Sequence, residues 1–134
     1  MQQITTFLMF FGQAEEAIQL YTSLFPNSTI VNISRFGAGE EGPEGKVRHA
    51  TFSLNGQQFM CIDSNAADHG FTFTPAISLY VTCATEAEID RLYAGLSAGG
   101  GVMMPLDTYP FSPKFAWIAD KFGVSWQLSL IASV

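Results

Sequence analysis

Positions 4–11 read ITTFLMFF, an apolar run rich in aromatic and branched residues that predicts a strand, stopped by Gly12. Ala14, Ala17, Ile18, Tyr21, Leu24 and Phe25 then recur at the spacing of one helix face, and Pro26-Asn27 closes that helix. A β-branched strand over 29–36 follows, then a loop of glycine and glutamate over 37–45. The strand patterns 47–54 and 57–63 flank Asn55-Gly56, the strongest short hairpin signal. The order then returns. A strand is expected over 76–83, Thr85 and Glu88 form a capping box, and Ile89, Leu92, Tyr93 and Leu96 mark a second buried helix face. Gly99-Gly100-Gly101 ends the helix, and strands are expected over 102–106, 115–119 and 124–130, the last two joined by a turn at 120–123. The helices repeat in their letters too: EEAIQLYTSL in the first half, AEIDRLYAGL in the second.

A unit used twice predicts βαβββ twice over. The expected fold is α+β, with two mostly antiparallel sheets related by a pseudo-twofold axis, a cup formed by the sheets and the helices outside. Residues 1–134 make one domain, with module one at about 1–63, a joint at about 64–75 and module two at about 76–134.

A two-residue turn at Asn55-Gly56 fixes the hairpin register. Leu54 faces Gln57, Thr51 faces Met60 and His49 faces Ile62, and paired residues share a face. Ala50, Phe52, Phe59 and Cys61 are then the helix side, and His49, Thr51, Ser53 and Met60 the concave side. The expected binding residues are Thr6, Leu8 and Phe10 from the first strand, His49, Thr51 and Met60 from the hairpin, and Trp117 and Gln127 from the second half. An apolar cavity holding a few polar groups is the usual form of a small-molecule site. His49 is the one imidazole in the set, so any acid–base step falls to it; a hydrogen-bonded strand histidine is the plainer reading.

Composition narrows the function classes. Hydrophobic residues are 48% of the chain and charged residues 13%, which suits a compact globule. With six Lys+Arg and a net charge of −6, the chain lacks the basic surface that nucleic acid requires. No apolar run reaches the roughly 18 residues that a membrane helix needs, and the first residues carry no basic stretch of a signal peptide. The expected location is the cytoplasm, with Cys61 and Cys83 as buried, reduced hydrophobes. Gly37, Gly39 and Gly42 match G-x-G-x-x-G, but Pro43-Glu44-Gly45 follows instead of a helix and Glu40 and Glu41 would repel a pyrophosphate, so the segment reads as a plain loop. His69, in a Gly-flanked loop, reads as solvent-exposed.

The blocks FLMFFGQAEEAIQLYTSLFP, HATFSLNGQQFMCID, PAISLYV and WIADKFGVSWQL, in order over nearly the whole chain, resemble the PhnB-like branch of the vicinal oxygen chelate superfamily, with glyoxalase I, bleomycin-resistance proteins and extradiol dioxygenases. The resemblance implies paired βαβββ modules, a ligand cup and a homodimer. The superfamily's metal-ligand positions fall on Thr6, on Met60 or Cys61, on Ala76 or Ser78, and on Gln127. None is a carboxylate or an imidazole, so no metal and no other cofactor is expected. The implied function is binding of a small organic molecule. The alternatives are a metal-independent enzyme of lyase or isomerase type and a divergent metal-dependent lyase or dioxygenase. Relatives of this branch carry a methyltransferase label, but the one Gly-rich loop lies between strands and is acidic, so methyl transfer is not expected.

Overall fold

The computed structural model describes residues 2–64 and 70–131 and divides into two compact units, Met1–Gly70 and Phe71–Val134. The division falls inside the expected joint, whose central residues 65–69, His69 among them, lie outside the described residues. The units have the same architecture: a four-stranded mixed sheet with one helix packed on one face.

Module one contains β1 (Thr6–Phe10), α1 (Ala14–Leu24), β2 (Thr29–Arg35), β3 (Val47–Leu54) and β4 (Gln57–Asp63), in sheet order β1-β4-β3-β2. The β1–β4 pair is parallel and the other two pairs antiparallel. The β3–β4 turn takes positive φ at both Asn55 (50°) and Gly56 (85°), the mirror-image turn that matches strand twist. It sets Leu54 opposite Gln57 and Thr51 opposite Met60. Helix α1 buries Ala14, Ala17, Ile18 and Tyr21 on the face that carries Phe10, Ala50, Phe52 and Cys61, and the Tyr21 and Phe52 rings lie 6.4 Å apart.

The start of α1 is closed from a distance. Gln13 provides no side-chain cap; the buried Asp63 carboxylate at the end of β4 does so instead. Its Oδ1 accepts from the N–H groups of Gly12 (2.8 Å) and Ala14 (2.9 Å), and its Oδ2 from that of Val47 (2.9 Å). One charged group thus ties α1, β3 and β4 together, and its charge favours the positive end of the helix.

Module two contains β5 (Leu79–Cys83), α2 (Glu86–Ser97), β6 (Gly101–Tyr109), β7 (Ser112–Ala119) and β8 (Ser125–Leu130), in sheet order β5-β8-β7-β6, with β5–β8 parallel. The Thr85 hydroxyl accepts from the Glu88 N–H at 3.2 Å, and Glu88 Oε2 accepts from the Ala84 N–H at 2.9 Å. Ile89, Leu92 and Leu96 pack on the face of Ala116, Ile118, Trp126 and Leu128. After α2 the chain passes so close to the end of β7 that a Cβ on Gly100 would lie 2.0 Å from the Ala119 carbonyl oxygen; only glycine fits there. A second buried carboxylate, Asp120, closes the β7–β8 turn, accepting from the N–H groups of Phe122 and Val124 and from Trp126 Nε1.

Four expected strands differ from the observed ones by two residues or more at an end. The first spans Thr6–Phe10, not 4–11, and the fifth begins at Leu79, not at 76. The runs 102–106 and 115–119 are parts of one longer hairpin, β6–β7, that turns at Pro110-Phe111. Pro105 is accommodated because β6 is an edge strand whose pairing with β7 is repeatedly shifted, Pro110 lies in the turn, and Pro113 sits at the second position of β7.

Candidate functional site

Each sheet has a face that its own helix leaves bare. Pairing fixes which residues lie on it, because directly opposed residues point the same way. In module one, Phe7 lies opposite Met60, Met60 opposite Thr51 and Thr51 opposite Asn32, so these share the helix-free face, joined by Met9 and His49 through strand alternation. The Phe7 and His49 rings stand 6.2 Å apart, tilted by 48°. Thr51 is buried, His49 and Met60 are half-buried, and Phe7 is 51% exposed.

Three expected site residues lie elsewhere. Thr6 pairs with Phe59, Leu8 with Cys61 and Phe10 with Asp63, all on the helix side, where Leu8 and Phe10 are core. The sequence could not reveal this parity, because TFLMF is nearly uniform and offers no alternation. Phe7 and Met9 occupy the places expected of Thr6 and Leu8. Thr6 and Met60 also point to opposite sides of the sheet, so these two mapped metal positions do not converge.

In module two, Trp117 pairs with Gln127 and Gln127 with Tyr80, which puts all three on the helix-free face with Met104, the residue opposite Trp117. Serines frame them. The Trp117 indole Nε1 donates to Ser125 Oγ at 2.8 Å, and Ser125 Oγ lies 2.7 Å from Ser78 Oγ. Further along β8, Ser129 and Ser112 share a buried hydrogen bond of 2.8 Å. Phe115 is on this face yet buried, because Tyr109 and Phe111 at the hairpin tip and Tyr80 of β5 pack around its ring. Tyr80, Met104 and Ser125 are the members that sequence reading missed, and Ser78 entered only as a possible metal-ligand position. Alternation outward from Gln127 would have found Ser125, and Ser78 then follows from its hydrogen bond.

Among the described residues no three His, Cys, Asp or Glu side chains form a metal-holding group. Ala76 is exposed and precedes β5, and Ser78 is engaged with Ser125. Both cysteines are buried: burial pushes the Cys61 thiol up to about 12, with the Asp63 charge adding to it, and burial with the Glu88 charge lifts Cys83 to about 11. They are inert thiols, not nucleophiles.

The strand-to-helix turns, where a nucleotide-like cofactor usually meets backbone amides, are filled from within. At α1 the Gly12 and Ala14 amides hold Asp63; at α2 Ala84 holds Glu88 and Glu88 holds Thr85. In the 37–45 loop, Gly37 N–H donates to Glu40 Oε1, and Glu40 also pairs with Arg48 at 3.0 Å.

The sequence model of the 3-demethylubiquinone-9 3-methyltransferase family matches residues 2–129. The chain belongs to that family. It is 62% identical to the PhnB protein of Bacillus cereus, whose structure superposes with a TM-score of 0.95 over 97% of this chain and all of that one. Protein PA1353 from Pseudomonas aeruginosa is 27% identical, with a TM-score of 0.85 over 97% and 98% of the two chains. Protein YjdN of Escherichia coli is 23% identical over 96% of this chain and 95% of its own. The PhnB-like chain shares its fold with a glyoxylase/bleomycin resistance protein/dioxygenase domain from Frankia sp., at 13% identity and a TM-score of 0.68 over 99% and 94% of the chains. No helix among the described residues is long and apolar enough to cross a membrane.

Proposed function

We propose that this PhnB-like protein binds a small, partly apolar organic molecule on the helix-free faces of its sheets and holds it without a catalytic metal. The observation that carries this reading is the composition of those faces. Aromatic rings and methionines (Phe7, Met9, Met60, Met104, Trp117) alternate with uncharged hydrogen-bonding groups (Thr51, Ser125, Gln127) and one imidazole, His49. Hydrophobic walls with a few convergent polar groups are what small-molecule sites are built from.

The family's name implies S-adenosylmethionine, and the residues do not fit that donor. Its binding usually uses a Gly-rich turn between a parallel strand and a helix. Here both strand-to-helix turns are engaged by internal acceptors, and the Gly-rich loop joins two antiparallel strands and is acidic. We therefore place the chain functionally with the binding members of the vicinal oxygen chelate superfamily rather than with methyltransferases. The proposal extends to a cytoplasmic homodimer, for which Ile4, Val31, Ile77 and Ile131, all more than half exposed, provide apolar surface to cover.

A thermal-shift screen of small uncharged aromatics tests the reading. A hit should raise the melting temperature of wild type; Gln127→Leu should weaken the shift of a hit bound on module two, and His49→Ala that of a hit bound on module one. A hit whose effect survives both substitutions would contradict the site. The alternative, a metal-independent lyase or isomerase, draws on His49 being the imidazole on the face; it requires turnover of the hit that stops in His49→Ala.

A further inference from the structure

We propose that the ligand is electrically neutral and planar, and that module two reads it through Trp117, Gln127 and the Ser78–Ser125 hydroxyl pair. This inference rests on the helix-free faces being the binding surface and adds the chemical class of what they take.

The placement of charge is the first support. The chain has six Lys+Arg, and the three of module two stand off its helix-free face. In module one, Arg35 forms a two-bonded pair with Glu15 of α1, and Arg48, at a register shift between β2 and β3, reaches Glu40 and lies over the Phe36 ring. Lys114 lies between Glu86 and Asp90 of α2, and Arg91 is on that helix. The Lys46 side chain runs beside Gly12 at the start of α1, and Lys121 lies in the β7–β8 turn with its ammonium 5.2 Å from the Phe122 ring centre. A carboxylate, phosphate or phosphonate on the helix-free face of module two would lose its water and gain no cationic partner, a large cost. Among the described carboxylates, only Asp107 is placed on that side by its pairing, opposite Phe115 on the exposed edge strand, and its Oδ1 already accepts from the Thr108 N–H. A cation gains little there.

The second support is the hydrogen-bonding inventory. Ser78 and Ser125 own two hydroxyl protons, and their mutual bond uses one; the indole N–H of Trp117 supplies its own proton. One hydroxyl proton of the pair is left to donate. Two residues along β8 on the same face, the Gln127 amide offers a donor and an acceptor together, with no side-chain partner among the described residues. Beside them the Trp117 ring is held in place by Ser125, a flat apolar plate next to neutral donors and an acceptor. A carboxamide, lactam or ketone on an aromatic ring complements this set; Ser125 is the positioning residue for the plate.

The test uses protein with 15N-indole and 13C-methyl-methionine labels, titrated with benzamide, cyclohexanecarboxamide, benzoate, phenylphosphonate and benzylammonium at matched concentrations. Benzamide should move the Trp117 indole and Met104 methyl signals saturably while the Trp126 indole, buried against Asp120, stays still. The other four should bind at least tenfold more weakly. Gln127→Leu should weaken benzamide tenfold, and Gln127→Lys should raise benzoate above benzamide. Ser125→Ala should broaden the Trp117 response and weaken benzamide without moving the urea midpoint by more than the cost of one hydrogen bond. A charged probe that binds at these signals as tightly as benzamide would overturn the neutral-ligand inference and leave the site standing. Equal binding of cyclohexanecarboxamide would overturn planarity. Five probes that all leave these signals unmoved, or act on Trp126, would overturn the site and this inference with it.

Discussion

Asp63→Asn removes one oxygen from a group that serves three backbone donors. The substituted amide can keep its carbonyl oxygen on Gly12 and Ala14, but its NH2 then meets the N–H of Val47, donor against donor, with Val47 fully buried. A buried N–H left unpaired costs about 1–3 kcal/mol. Loss of the negative charge at the start of α1 removes a further ~0.3–1 kcal/mol of helix-dipole stabilisation. The expected loss is roughly 1.5–4 kcal/mol, and for a chain of 134 residues this lowers Tm by on the order of 10 °C. Urea unfolding followed by far-UV circular dichroism measures it. With a slope of about 2 kcal/mol/M the midpoint should fall by roughly 1–2 M at unchanged slope. Glu15→Gln on the exposed face of the same helix is the control. It loses only a surface ion pair with Arg35, and its midpoint should move far less. An Asp63→Asn variant within about 0.5 kcal/mol of wild type would refute the claim that this carboxylate fastens α1 to the sheet.

Other expectations follow from the same contacts. Ellman's reagent at pH 8 should label neither cysteine in the folded protein and both after unfolding, because thiols at about 12 and about 11 are thiolate in no more than roughly one molecule in a thousand; fast labelling of native protein would contradict their burial. Arg35 holds the Glu15 carboxyl below its ordinary 4.5, so the pair's small stabilisation is present above that pH and is lost as pH falls through the depressed value. Wild type and Arg35→Ala should therefore converge in stability at acid pH, and divergence there would reverse the sign. Elemental analysis after dialysis against Ni, Zn, Fe and Mn should find no stoichiometric ion; one ion per chain, lost in Gln127→Leu, would overturn the donor assignment. Light scattering should give twice 14.6 kDa at micromolar concentration, and a monomer would count against the dimer.

The parts of the fold that are legible in the sequence are those where one short-range rule acts alone. Asn55-Gly56 determines its turn, and the turn determines the register of β3 on β4, so the partnership of Thr51 with Met60 can be read from the residues themselves. The Thr85–Glu88 cap is legible for the same reason. Strand β1 is not: it pairs with β4 across some fifty residues, and its letters are apolar on both sides, so nothing local says whether Thr6 or Phe7 faces away from α1. The role of Asp63 is hidden because the amides it holds, of Gly12, Ala14 and Val47, are distant in sequence, whereas Asp120 closes its own turn onto Phe122 and Val124, a local pattern. In module two, Trp117 and Gln127 can be named but not paired, since the parity of β7 depends on a hairpin whose register shifts repeatedly.

The central claim is that the ligand sits on the helix-free faces. Methyl NMR of the complex with the best hit from the thermal-shift screen tests it most directly. Met9 and Met60 lie on that face of module one and Met104 on that of module two, whereas Trp126 reports the helix side. The account predicts saturable shifts of Met60 for a ligand on module one, or of Met104 for a ligand on module two, with the Trp126 indole unmoved. Saturable shifts at Trp126 with Met60 and Met104 unchanged would contradict it.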